Sequence, residues 1–129
     1  MKFLALSLEF KPRFEVLEWA NDMFASYRNH RCMITTHCFL SQDATRNTME
    51  NYKYEGASAQ EMWDRCVSRH ENIFMVVCGH ILGSSQRTDS GVNGNMVHHV
   101  LSDYQGLKNG GEGYLRITVS YTHLTLPTN

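Results

Sequence analysis

Two histidines, His37 and His80, stand where side chains can do chemistry. His37 directly follows the run Cys32-Met33-Ile34-Thr35-Thr36, and His80 lies two residues beyond the apolar run Ile73–Cys78. Both runs read as buried strands of a parallel sheet, and open α/β sheets gather ligands at the carboxyl ends of their strands. Adjacent strands lie about 4.8 Å apart, so side chains from two such ends can reach one metal ion. Imidazole suits zinc, manganese and iron. By themselves, however, two loop histidines more often bond to backbone than to metal. Arg87 is a candidate phosphate clamp, because a guanidinium binds phosphate bidentately; the competing reading is a structural arginine. Asp43 and Arg46 either shape a substrate mouth or form a local ion pair or turn cap. His98 and His99 sit in an alternating strand, so at most one faces inward, where a hydrogen-bonded core histidine is expected. Cys38 beside His37 suggests a thiol nucleophile, but sequence neighbours at a strand end point apart, and catalytic pairs are neighbours in space.

These residues need elements to position them. Residues 3–10 read as a first buried strand, and Pro12 opens a helix, where its missing N–H costs nothing. Val16, Leu17, Ala20, Met23, Phe24 and Tyr27 form one helical stripe. The Cys32–Thr36 strand follows, then a polar stretch, 37–57, without a clear period and long for a plain connection. Ser58 with Glu61 is a capping box opening a helix to about Arg69. Ile73–Cys78 is the third buried strand. Asn93-Gly94 marks a hairpin between 86–89 and 96–101, and a glycine-rich loop, 106–113, leads to a last strand at 114–117. Trp19 and Trp63 fall on amphipathic helices as packing residues. The pattern is α/β.

The chain of 129 residues suits one modest core. A net charge of −1 gives no basic surface for nucleic acid, and no apolar run approaches the ~20 residues of a membrane span. The four cysteines show no paired C-x-x-C and no zinc-finger spacing, and read as free thiols.

The words around the two histidines resemble a known family. Thr35-Thr36-His37-Cys38-Phe39-Leu40 and Cys78-Gly79-His80 are similar to the last two motifs of the calcineurin-like metallophosphoesterases. The likeness extends in unbroken order through Leu8-Glu9-Phe10-Lys11-Pro12-Arg13, Leu17-Glu18-Trp19-Ala20, Asn93-Gly94-Asn95 and Asp103-Tyr104-Gln105, over residues 3–117. The resemblance implies the C-terminal part of the family's α/β/β/α sandwich, incomplete, with residues 1–118 as a partial phosphoesterase domain. It further implies two divalent metal ions (Mn, Fe or Zn), a metal-activated water, and a phosphoric mono- or diester substrate in the full-length parent. His37 and His80 would then bind the same ion. Leu82 stands where the family's second histidine of the Gly-His-x-His block falls, and the upstream ligand motifs have no counterpart here, so the chain alone is expected to be inactive. The alternative is a non-catalytic binding or structural module on the same fold.

Residues 119–128, Val-Ser-Tyr-Thr-His-Leu-Thr-Leu-Pro-Thr, match letter for letter one translated frame of a transposase adapter used in sequencing libraries. Segment 119–129 is therefore expected to be non-native and is excluded from fold reasoning. Re-sequencing the locus from unamplified DNA should replace everything after about Thr118 with an unrelated continuation; recovery of the same codons would refute this.

Overall fold

A five-stranded sheet organises the computed structural model, which describes residues 1–119. The elements run β1 (Phe3–Leu8), α1 (Phe14–Ser26), β2 (Arg31–Thr36), α2 (Ala59–Arg65), a 3-10 turn (Val67–Arg69), β3 (Ile73–Cys78), β4 (Gly83–Ser90), β5 (Met96–Asp103) and a short helical segment α3 (Lys108–Gly111). Spatial order is β1-β2-β3-β5-β4, with β1, β2, β3 and β5 mutually parallel and β4 antiparallel to β5. The chain is a mixed α/β fold.

Period-two alternation gives the sheet two unlike faces. Leu6, Leu8, Cys32, Ile34, Val76 and Leu101 point to the covered face, where they join Leu17, Ala20 and Phe24 of α1 and Met62 of α2 in one core. Phe3, Met33, Met75 and Val77 occupy the other face, which carries none of the described helices. The alternation breaks once. Cys32 pairs with Ile73 but Met33 with Met75, so Phe74 is an inserted residue, the mark of a β-bulge. Phe74 consequently shares the open face with Met75, its ring 6.2 Å from Phe3 and under the Arg31 guanidinium at 4.5 Å.

Local signals set the helix ends. Ser58 Oγ accepts from Glu61 N–H while the Glu61 carboxylate accepts from Ser58 N–H, the reciprocal box, which stabilises a helix start by about 1 kcal/mol. Helix α1 begins two residues later than the proline suggests, with Arg13 at its N-cap and the Arg13 N–H held by Glu9 Oε1. The hairpin loop is five residues, 91–95, with Gly94 at φ +80. The strand expected at 114–117 is absent. Gly110, Gly111 and Gly113 at positive φ turn the chain, and the segment that follows is exposed except at Arg116, which reaches Ser85 O at 3.4 Å. The proposed adapter-derived residues 120–129 lie outside the described residues.

The polar stretch 37–57 is more structured than its composition suggests. Cys38, Phe39, Leu40 and Met49 are buried, and a Leu40–Arg46 bridge folds its first part back on itself. Arg46 then anchors it to the hairpin, bonding Asp89 Oδ2 at 2.7 Å while its guanidinium stacks 4.3 Å from the Trp63 ring. Beneath this lies His99, fully buried, with Phe39 and Trp63 rings near 5 Å. His98, its neighbour, faces out and pairs with Thr88. The expected hydrogen-bonded inward histidine is not found: among the described residues neither His99 ring nitrogen has a partner, and the Asp89 carboxylate stands off at 3.7 Å.

Burial, with the positive charge of Arg46, pushes His99 down to about 4, against the attraction of Asp89. The unfolded chain, with its histidine near the ordinary value, binds more protons between those two values, so stability rises with pH across that window. His99 therefore destabilises the fold as pH falls from about 6.5 to about 4, by up to roughly 3 kcal/mol. Chemical denaturation at pH 7 and pH 4.5 should show the loss, and His99→Leu should shrink it. An unchanged pH slope in that variant would assign the effect elsewhere.

Candidate metal-binding site at the strand ends

Strands β2 and β3 pair in parallel up to Thr35 and Val77, so their carboxyl ends emerge side by side. Just beyond, the Gly79 N–H donates to the His37 carbonyl at 3.1 Å, tying together the two backbones that carry the histidines. The chain then turns sharply: Ile81 N–H donates to Gly79 O at 2.8 Å around His80, whose φ is +66. A two-residue hydrogen bond about a positive-φ residue is the strained γ-turn geometry. Such strain costs on the order of 1 kcal/mol and gathers at functional sites. Here it sends the His80 ring back toward His37. The two imidazoles have centroids 4.4 Å apart with planes tilted by 43°.

Two nitrogens bound tetrahedrally to one ion at about 2.1 Å lie about 3.4 Å apart, a spacing within reach of rings this close. Nitrogen donors of this kind fit a transition metal as two of its ligands. No group of three or more His, Cys, Asp or Glu side chains among the described residues could hold a metal ion. Catalytic metals have at least three protein ligands, so the arrangement is a half-site. Leu82 adds no donor; half its surface is exposed, and it packs over Gly106, where an added Cβ would lie 2.9 Å from its Cδ1.

An aromatic shell surrounds the pair. The Phe10 ring lies 5.5 Å from His37, 5.8 Å from His80 and 4.9 Å from Tyr52, and the Tyr52 hydroxyl contacts His80 Nε2. Tyr54 adds an exposed ring 6.3 Å from Phe10. A close seam holds this shell: Ala57 N–H donates to Pro12 O, and a Cβ on Gly56 would sit 1.9 Å from Lys11 O. Only glycine permits that approach. Sequence reasoning missed Phe10 and Tyr52 as site residues. Phe10 was legible in principle, as the loop residue at the end of a third parallel strand; Tyr52 lies in a stretch without periodicity and carries no such signal.

Arg87 is placed apart from the histidines. Its guanidinium grips both oxygens of Asp89 at 2.8 Å and donates to Ala44 O at 3.2 Å, as a structural arginine does. Asp89 is held below the usual carboxylate range first by the Arg87 hydrogen bonds and then by the charge of Arg46. Asp43 caps a turn through Thr45, at 2.6 Å to its hydroxyl. A groove of about 830 Å³ lined in part by Arg87, Phe74, Met75 and residues 116–119 lies away from the pair, and neither His37 nor His80 lines it.

The comparisons with known proteins reach little of this. No family model matches the chain, and no solved structure matches it closely. The uncharacterized protein YvnB of Bacillus subtilis (strain 168) is 26% identical over 109 residues, covering 80% of this chain. The chain spans 8% of the length of that relative.

Cys38 does not act as a nucleophile in this geometry. It is 1% exposed, and burial, aided by the nearby Cys78, pushes its thiol up to about 11. The thiolate is the reactive form. Iodoacetamide at pH 8 should leave Cys38 unmodified in the folded chain and label it only after denaturation. Rapid native labelling of Cys38, read by peptide mass, would restore the thiol to consideration.

Proposed function

We propose that this chain is the C-terminal part of a calcineurin-like phosphoesterase domain and supplies two histidine ligands of a metal centre that hydrolyses phosphoric mono- or diesters. The observation that carries the reading is the His37–His80 pair, 4.4 Å apart at the carboxyl ends of adjacent parallel strands. His37 and His80 would hold one divalent ion (Mn, Fe or Zn), and the remaining ligands would come from outside these residues. A bound two-metal centre supplies Lewis acidity and a water acidic enough to attack phosphorus at neutral pH. The protein's share is orientation: the Gly79–His37 hydrogen bond and the turn at His80 fix the two backbones that carry the rings. The open face of the sheet is the surface that a second sheet would cover in an α/β/β/α sandwich. Its exposed Phe3 and the absence of described helices there favour that architecture.

One observation favours the second reading, a module that keeps the fold without catalysis. Leu82 cannot ligate and is instead packed on Gly106. Metal analysis of a longer protein carrying the upstream region separates the two. It should contain two divalent ions per chain, and His37→Ala or His80→Ala should each remove at least one ion and lower phosphoesterase activity by about 100-fold or more, the loss typical of a disturbed metal centre. Absence of phosphoesterase activity in the metal-loaded longer protein would overturn the phosphoesterase reading, and full activity with metal retained in both variants would remove His37 and His80 from the centre.

A further inference from the structure

The Tyr52 hydroxyl meets His80 at Nε2. An imidazole nitrogen offers a single lone pair in the ring plane. In the tautomer with its proton on Nδ1, that lone pair accepts the phenol O–H, and a nitrogen engaged so has nothing left for a cation. With its proton on Nε2, the ring donates to the phenol oxygen, and the same position is again occupied. In either state the hydrogen bond and metal coordination at Nε2 exclude each other.

The surroundings fit a removable occupant. Tyr52 belongs to a segment fixed at Met49, 1% exposed, and at Ala57, fully buried and bonded to Pro12 O. Between those anchors Glu50, Asn51, Lys53, Tyr54 and Glu55 are exposed, and the Tyr52 N–H bonds to Met49 O at 3.3 Å. Met49 has φ +57, the left-handed conformation that marks a sharp change of direction. The segment can therefore lift without disturbing the core at either end. Phe10 holds Tyr52, His37 and His80 against its ring, so lifting Tyr52 leaves the two histidines supported.

We infer that Tyr52 is a built-in competitor for the metal site: its hydroxyl occupies the His80 nitrogen and must leave before a divalent cation binds the His37–His80 pair. The inference rests on the metal-binding reading above. It makes Tyr52 a positioning residue that keeps His80 oriented in the metal-free chain and weakens cation affinity.

Zinc titration of the whole chain and of Tyr52→Phe, by calorimetry and by the ¹⁵N shifts of the His37 and His80 rings, tests it. The phenylalanine keeps the packing on Phe10 and removes only the hydroxyl. Loss of one ordinary hydrogen bond should tighten zinc binding by about fivefold, and should shift the His80 ring nitrogens before zinc is added while leaving His37 unmoved. Equal affinity in both chains overturns the competitor and leaves the metal reading standing. Weaker binding in Tyr52→Phe makes the tyrosine a ligand and overturns it also. If zinc binds neither chain and moves neither ring, the competitor is overturned, while the metal reading stands or falls on the metal content of the longer protein.

Discussion

One backbone hydrogen bond, from Gly79 to the His37 carbonyl, joins the fold to its chemistry. It continues the β2–β3 ladder one step past the last paired residues, so the two strand ends leave the sheet in contact. Everything of interest at the site descends from that continuation. The turn at His80 can fold the ring back onto His37 because the chain on the other side is already fixed. Phe10, arriving from the end of β1, completes three adjacent strand ends around one small volume. A parallel sheet gives this convergence without special design, since all its carboxyl ends open at one edge.

The covered face is held by a different logic, one of charge enclosed by rings. Arg46 carries the long loop onto β4 through Asp89, with Trp63 beneath it and His99 below. Burial lowers Arg46 as well as His99, while Asp89 draws hydrogen bonds from two guanidiniums. Removing either arginine would take one of two guanidinium partners from the partly buried Asp89 carboxylate, which is more destabilising than deleting an exposed ion pair. By contrast, the Glu9–Arg13–Glu15 pairs are solvent-exposed and contribute little. The same loop thus serves two ends: its first half pins the hairpin, and its second half presents Tyr52 to the histidines.

Strand and helix positions were legible wherever periodicity spoke. Ile73–Cys78 was read to the residue, and the Ser58–Glu61 box announced α2 because its two hydrogen bonds are local in sequence. His37 and His80 stood out through their position after apolar runs. The rest depended on contacts between distant residues. Phe39 and Leu40 look like loop residues until a β-bridge folds them under the hairpin. Arg87 looks free until Asp89, two residues on along the same face, is seen to claim it. The final strand failed for a backbone reason, since glycines at positive φ redirect the chain that its β-prone residues would otherwise extend. Tyr52 had no pattern to betray it.

The inserted Phe74 has an effect that reaches beyond its own side chain. Ile73, the first residue of β3, faces the core; from Met75 onward the odd positions face away, and Val76 takes over the inward role. The strand therefore has two phases joined at a single residue. A substitution map along β3 would show two consecutive intolerant positions, Ile73 and Phe74, before alternation sets in with Val76 inward. Deleting Phe74 would join Ile73 to Met75 in unbroken alternation, keeping the register to β2 and the approach to Gly79 and His80 while removing the aromatic contacts with Phe3 and Arg31.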